Sequence, residues 1–167
     1  MFRSIADFLK VWESDTDVTV KTFRELTDAS LAQRATADTR TIGALAWHIT
    51  CSLGEMMTTA GMPLGHLANE KLPVPAKAAE IADAYQDSAK AVTDAIRANW
   101  SDNQLDDELP MYGENWKKGF ILYVLLGHQI HHRGQLTMLM RMAGLKVPGA
   151  FGPSREEWAA YGMAAPS

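Results

Sequence analysis

Three histidines are the residues of this chain whose type and spacing best suggest chemistry. His128 and His132 stand four residues apart in the stretch GHQIHHRGQL, and His48 lies in an earlier apolar stretch, LAWHIT. On an α-helix of about 3.6 residues per turn, side chains four residues apart share one face, so two imidazoles can bind one ion. A third imidazole from a facing helix would complete a three-nitrogen site with open coordination positions, as in catalytic metal sites. The pattern therefore predicts a metal centre on these three residues.

The predicted helix that carries His128 and His132 contains other polar side chains that could be ligands or supporting residues. His131 is also within reach of His128, but a rotation of about 100° per residue returns Gln135 to the face of His128. We therefore expect His132 to be a ligand, His131 to flank it, and Gln135 either to orient a ligand or substrate or to lie at the edge of the core. The competing explanation is that the histidines are hydrogen-bonded core residues, since burying a polar group without a partner costs a few kcal/mol.

Two further potential ligands are less favourable. His66 lies in a segment rich in Pro and Gly, over residues 62–75, where an exposed imidazole is expected. Cys51 follows His48 by three residues and could face the same way, but most free cysteines behave as small buried hydrophobes. Because Cys51 is the single cysteine, an internal disulfide and an all-cysteine zinc site are both excluded.

The elements that must position these histidines are helices. Four stretches show the 3.6-residue apolar rhythm, over about residues 5–26, 42–61, 76–100 and 116–143, and none alternates convincingly with period two. Thr41 is the expected N-cap of the second helix, Asn115 that of the fourth, and Gly144 the end of the fourth. The connections are unequal in length, so we expect an all-α four-helix bundle with a long connection between its second and third helices.

Two local patterns add to this fold prediction. Thr16 and Thr19 interrupt the apolar face of the first helix, which would either line a cavity or belong to a shallow amphipathic helix turned to solvent. Near the C-terminus, Ser154 followed by Glu157 predicts a capping box and a short final helix.

Bulk composition limits the classes of protein that fit. The 167 residues suit one domain, spanning 1–167, and a content of 47% apolar and 22% charged residues is that of a globular protein. No apolar run approaches the roughly 20 residues of a membrane span, and the start does not resemble a signal peptide, so we expect a cytoplasmic protein. A net charge of −4 without a block of basic residues argues against a nucleic-acid partner.

The run HQIHHRGQL, together with LAWHIT in an earlier apolar helix, resembles the DinB-like (DinB/YfiT) family of metal-binding four-helix bundles. The resemblance implies a long crossover between helices 2 and 3, a homodimer, and a divalent ion on three histidines that fall on His48, His128 and His132. We expect Zn²⁺, with Ni²⁺ or Fe²⁺ as alternatives, because neutral nitrogen ligands suit all of them. Trp158 and Tyr161, in the tail, would close the bundle or form the dimer contact.

The wider superfamily that this resemblance points to includes thiol-dependent enzymes, such as mycothiol-dependent maleylpyruvate isomerase and bacillithiol transferases. The functional hypothesis is therefore an enzyme that activates a low-molecular-weight thiol, or water, for transfer to or hydrolysis of a small electrophile. The alternative is a non-catalytic dimeric bundle that binds a metal or senses a ligand during stress. The lack of an evident general base favours that alternative, because Glu55, seven residues from His48 and near its face, could equally be a surface residue.

Overall fold

The computed structural model describes residues 2–64 and 71–165 of the chain. Four long helices dominate it: α1 Ile5–Arg24, α2 Ile42–Thr59, α3 Ala78–Asn99 and α4 Lys118–Met142. Both α1 and α2 pack against α3 and α4, so the helices form a bundle around one apolar core. This confirms the four-helix fold class, including the long connection between α2 and α3 over residues 60–77. Residues 65–70 of that connection, with His66, lie outside the described residues.

Local signals define most helix ends. The Thr41 hydroxyl accepts a hydrogen bond from the Ala44 N–H at 3.1 Å, which confirms the expected N-cap of α2. Gly144 adopts a left-handed φ of 72° just after α4, as expected for a residue that ends a helix.

No helix in the described residues is long and apolar enough to cross a membrane.

A short β-hairpin precedes α4, and the sequence analysis did not predict it. Strands β1, Glu108–Met111, and β2, Glu114–Lys117, are antiparallel, and Asn115 pairs with Pro110. The assignment of Asn115 as the N-cap of α4 is therefore wrong: Lys117 occupies that position, with no capping hydrogen bond from its side chain. Strands of only four residues, one containing a proline, are too short to show a period-two pattern.

The polar interruption of the apolar face of α1 belongs to a buried ion pair. Arg133 of α4 donates from Nη2 to Asp15 Oδ1 at 2.5 Å, and from Nη1 to Thr19 Oγ1 at 2.7 Å. Asp15 and Thr19 are both buried, whereas Thr16 is half-buried. We call Arg133, Asp15 and Thr19 the arginine cluster. It ties α4 to α1, so Thr19 packs against a neighbouring helix. Thr16 lines a cavity of about 490 Å³, in agreement with the first of the two expectations for this stretch.

The C-terminal segment contains a short 3₁₀ helix, Trp158–Tyr161, which corresponds to the expected final helix. Half of the capping box is present, because the Ser154 N–H donates to Glu157 Oε2 at 3.0 Å. The other half is absent from the described residues, where the Ser154 hydroxyl has no partner. The same Glu157 carboxylate accepts from the Gly149 N–H at 2.9 Å, so it organises the loop before the helix as well.

Candidate metal centre

The packing of α2 against α4 brings the three histidines of the sequence prediction together. His48 lies on α2, His128 and His132 lie one turn apart on α4, and each is half-buried. Each offers a ring nitrogen, and these nitrogens all lie within 4.8 Å of one another. The four-residue spacing on α4 thus produces the arrangement expected of it, with the third imidazole supplied by a facing helix.

The residues present fit a divalent ion. His48 Nε2 and His132 Nε2 are 3.3 Å apart. Two imidazole nitrogens bound to a tetrahedral zinc at about 2.0–2.1 Å would be separated by about 3.3–3.4 Å. His128 Nδ1 is a buried polar atom without a hydrogen-bond partner in the described residues. A cluster of imidazole nitrogens that converge on one point is the expected chemistry of a metal-binding site.

Gln135 fixes the orientation of one imidazole. Its Oε1 lies 3.0 Å from His132 Nδ1, and because a carbonyl oxygen can only accept, Nδ1 carries the proton. The lone pair of His132 is then on Nε2, the atom that faces His48. The amide nitrogen of Gln135 lies 3.0 Å from His131 Nε2. Gln135 therefore links the exposed His131 to His132 and orients the expected ligand.

The surroundings keep the paired histidines of α4 neutral. Burial lowers the pKa of His128 to about 4, with further lowering by His132 and other nearby cationic groups. Burial also lowers the pKa of His132, against a smaller opposing effect of its hydrogen bond to Gln135. Because only a neutral imidazole has a lone pair for a metal, both side chains are ready to bind one near pH 7.

A buried glutamine holds α2 and α4 in register behind the histidines. Gln129 Nε2 donates to Ser52 Oγ at 3.1 Å and to the Ile49 carbonyl at 3.3 Å. The Ser52 hydroxyl in turn donates to the Ile49 carbonyl at 2.9 Å. The sequence analysis missed this contact, although a polar residue directly after His128 in an aliphatic helix was an available signal.

A cavity of about 300 Å³ opens beside the histidines. Its described lining residues come from α2, the hairpin turn and α4: His48, Ser52, Glu55, Met56, Tyr112, Val124 and His128. The Tyr112 hydroxyl donates to Glu55 Oε2 at 2.7 Å. Glu55 is exposed, yet it lies on the face of α2 that borders this cavity, which settles its location. No sequence pattern indicated a role for Tyr112, because its approach to Glu55 depends on the unpredicted hairpin.

The remaining candidate ligands lie outside the group of three. Cys51 is buried in the apolar core, in agreement with the hydrophobic reading of that residue. His131 is exposed and flanks His132, with ring centroids 4.8 Å apart. His66 belongs to the residues that the structure does not describe.

Comparison with known proteins gives the relatives of the chain and of its fold. The DinB family model matches residues 1–165. The uncharacterized protein YrdA of Bacillus subtilis (strain 168) is 41% identical over 166 residues, which is 99% of each chain. A DinB-like protein from Bacillus cereus ATCC 10987 has a similar structure, with a TM-score of 0.86 and 36% identity over 90% of this chain and 100% of that chain. A second DinB-like protein, YjoA of Bacillus subtilis, shares the fold at 17% identity, with a TM-score of 0.67 over 86% of this chain and 96% of that one. The chain belongs to the DinB family.

Proposed function

We propose that His48, His128 and His132 bind a divalent metal ion, and that the protein is an enzyme joining a thiol or water to a small electrophile. The observation that carries the proposal is the meeting of three ring nitrogens, within 4.8 Å of one another, beside a cavity that His48 and His128 line. When bound, such an ion would act as a Lewis acid that lowers the pKa of a thiol or water and polarises an electrophile. Zn²⁺ is the expected ion, with Ni²⁺ or Fe²⁺ as alternatives.

The protein's own side chains would contribute orientation and selection by size. Gln135 keeps the lone pair of His132 directed towards His48, and Gln129 holds together the two helices that carry the ligands. A cavity of about 300 Å³ accommodates a small molecule, in keeping with a low-molecular-weight thiol or a compact electrophile.

The second candidate is a non-catalytic bundle that binds a metal or senses a ligand. It is favoured by the position of Glu55, whose carboxylate is engaged by the Tyr112 hydroxyl and lies two helical turns from His48. A general base must come within hydrogen-bonding reach of the proton that it removes, and no other carboxylate lines the described part of the cavity. For both candidate functions we propose that the protein is a cytoplasmic homodimer. Light scattering of the purified protein would test the dimer.

Metal titration of the purified metal-free protein tests the ligand set. We expect wild type and His131→Ala to bind one Zn²⁺ per chain in calorimetry, because His131 lies outside the group of three. His128→Ala should lose stoichiometric binding while keeping its helical circular dichroism spectrum. Failure of the wild type to bind any divalent ion would refute the metal centre and favour hydrogen-bonded core histidines.

Thiol consumption then separates the enzyme from the scaffold. The metal-loaded wild type and His131→Ala should accelerate the loss of a small thiol in the presence of chlorodinitrobenzene, and His128→Ala should not. Hydrolysis of an activated ester provides the matching assay for water. A protein that binds metal stoichiometrically but accelerates neither reaction would support the non-catalytic candidate.

A further inference from the structure

We propose that Glu55 and Tyr112 recognise a positively charged ammonium group on the molecule that enters the cavity, at the end opposite the histidines. The inference rests on the proposed function, since it assumes that the other end of this molecule reaches a metal ion on the histidines. It narrows the ligand class to small molecules that carry a metal-binding thiol or oxygen at one end and an amine at the other.

The charges of the residues that line the cavity are the first evidence for this ammonium site. Of the cavity's lining residues that the structure describes, Glu55 is the one acidic residue, because the remainder are histidine, serine, methionine, tyrosine and valine. A carboxylate on the wall of a cavity attracts a cation and repels an anion.

The spacing of side chains along α2 separates two ends of the cavity. His48, Ser52 and Glu55 follow one another at intervals of four and three residues, so they form one stripe on the helix. Seven residues correspond to about 10 Å along a helix axis. The histidine end of the cavity would therefore take the metal-binding atom of the ligand, and the Glu55 end would take a cation.

Tyr112 holds the Glu55 carboxylate in place. Its hydroxyl donates to Glu55 Oε2 at 2.7 Å, and the Thr59 hydroxyl lies 3.3 Å from Oε1. A carboxylate offers about four acceptor positions, so these two contacts leave room for an incoming ammonium group. The Tyr112 ring also presents an aromatic face beside the carboxylate, and such faces attract cations.

The backbone at Tyr112 shows that its position is imposed by the surrounding structure. With φ at 52°, it is the one non-glycine residue of the described chain in the left-handed region, and Gly113 follows at 87°. The turn joins β1 to β2, and the Tyr112 ring contacts Trp116 with centroids 5.5 Å apart. Positive φ at both central residues is the usual geometry of a two-residue hairpin turn, so the hairpin itself sets the position of the Tyr112 side chain.

The experiment uses cobalt-loaded protein and three thiols of similar size: cysteamine with an amine, mercaptoethanol with a neutral hydroxyl, and mercaptopropionate with a carboxylate. Binding of each thiol is followed by the thiolate-to-cobalt charge-transfer absorption band. This measurement requires no catalytic turnover. Because the thiols differ in their own acidity, each affinity in a variant is compared with the affinity of the same thiol in the wild type.

Glu55→Gln is the central variant, since it removes the charge and keeps the shape of an exposed residue. It should weaken cysteamine about fivefold, leave mercaptoethanol unchanged, and strengthen mercaptopropionate. Tyr112→Phe keeps the charge but frees the carboxylate, so its effect on cysteamine should be about twofold. Glu114→Gln is the matched control, because this exposed carboxylate contacts Trp116 Nε1 and does not line the cavity.

The outcomes separate the two levels of the proposal. If the wild type takes up cobalt but Glu55→Gln changes the three thiols equally or not at all, the ammonium site is refuted and the metal centre stands. If Tyr112→Phe binds cysteamine as the wild type does, Tyr112 has no part in recognition. If the wild type takes up no cobalt, both the proposed function and this inference fail.

Discussion

Helix α4 carries two polar clusters on neighbouring faces, and they differ in the charges that they bring together. In the arginine cluster, which faces α1, the buried Arg133 guanidinium contacts both Asp15 and Thr19. In the histidine cluster, formed by His48, His128 and His132 where α4 meets α2, three ring nitrogens lie within 4.8 Å of one another and the group contains no carboxylate. Each cluster borders a cavity, of about 530 Å³ and about 300 Å³ respectively, and each has one buried atom without a partner in the described residues, Asp15 Oδ2 and His128 Nδ1. A cluster that neutralises its own charge contributes to the fold, whereas a group of imidazole nitrogens suits a metal cation.

Removing the acidic partner of the arginine cluster should have the largest effect on the free energy of unfolding. Asp15→Ala leaves the guanidinium of Arg133 buried with no countercharge, and breaking such a pair costs about 3–5 kcal/mol. Urea denaturation followed by circular dichroism measures this loss.

A double variant sharpens the same test. Asp15→Leu combined with Arg133→Met replaces both charges with apolar side chains, and buried pairs replaced in this way often leave stability unchanged or raise it. We therefore expect the double variant to be more stable than Asp15→Ala. An Asp15→Ala protein that unfolds at the wild-type urea concentration would show that this cluster is not structural.

In the histidine cluster the expected effect falls on metal affinity. Gln135→Ala removes the acceptor that keeps the proton of His132 on Nδ1, and loss of such a supporting contact lowers metal affinity about 10- to 100-fold. Zinc titration against a competing chelator gives the ratio of affinities, with His131→Ala as the control for loss of the Gln135–His131 contact. Equal affinities for Gln135→Ala and wild type would mean that His132 needs no orienting partner.

The contrast also explains what could be predicted from the sequence. The pairing of His128 and His132 follows from helix geometry alone, because their spacing places both on one face of a long apolar helix. The place of His48 in the group came from its apolar stretch and from the resemblance to a known family, not from spacing. The ion pair of Arg133 and Asp15 joins residues 118 positions apart, and no local pattern indicates such a pairing. Spacing placed Glu55 near the face of His48, but its use as a partner for Tyr112 required the position of the hairpin turn.

Helix boundaries show the same division between local and distant causes. Thr41 and Gly144 were identified correctly, because a cap and a left-handed stop depend on neighbouring residues. Asn115 was assigned wrongly, because its role is set by pairing with Pro110 across a hairpin. For helix boundaries, sequence reasoning therefore worked where neighbouring residues contain the whole signal, and failed where the boundary depends on pairing with a distant segment.

Acid should weaken the metal-free fold through the histidine cluster. The pKa of His128 is about 4 in the folded protein, below its ordinary value of 6.5, so the unfolded chain binds a proton more readily between these values. The contribution of His128 to the free energy of unfolding is therefore fully present above about pH 6.5, declines as the pH falls towards 4, and levels off below pH 4. The effect should be smaller than that of Asp15→Ala, because the imidazoles are only half-buried.

Melting temperatures of the metal-free protein between pH 4 and 7.5 measure this dependence. His128→Gln removes one of the groups with a lowered pKa, so its melting temperature should fall less steeply across the same range. If the two proteins show the same slope, His128 is not the source of the acid sensitivity, and its environment in solution is more polar than the structure indicates.

The smallest change in the free energy of unfolding is expected at a second Arg–Asp pair, which is exposed. Comparison of the two pairs therefore tests the effect of burial. Arg24 Nη2 on α1 contacts Asp83 Oδ1 on α3 at 2.6 Å, with side chains 44% and 63% exposed. Exposed pairs contribute about 0–1 kcal/mol, and salt screens them, so Asp83→Asn should cost less than about 1 kcal/mol and nothing measurable in 1 M NaCl. The loss in Asp15→Ala should persist in that salt, because a buried pair is screened much less. Equal losses for the two variants would mean that the burial of Arg133 does not set the strength of its cluster, and the contrast between a charge-paired cluster and a metal-binding cluster on α4 would lose its energetic basis.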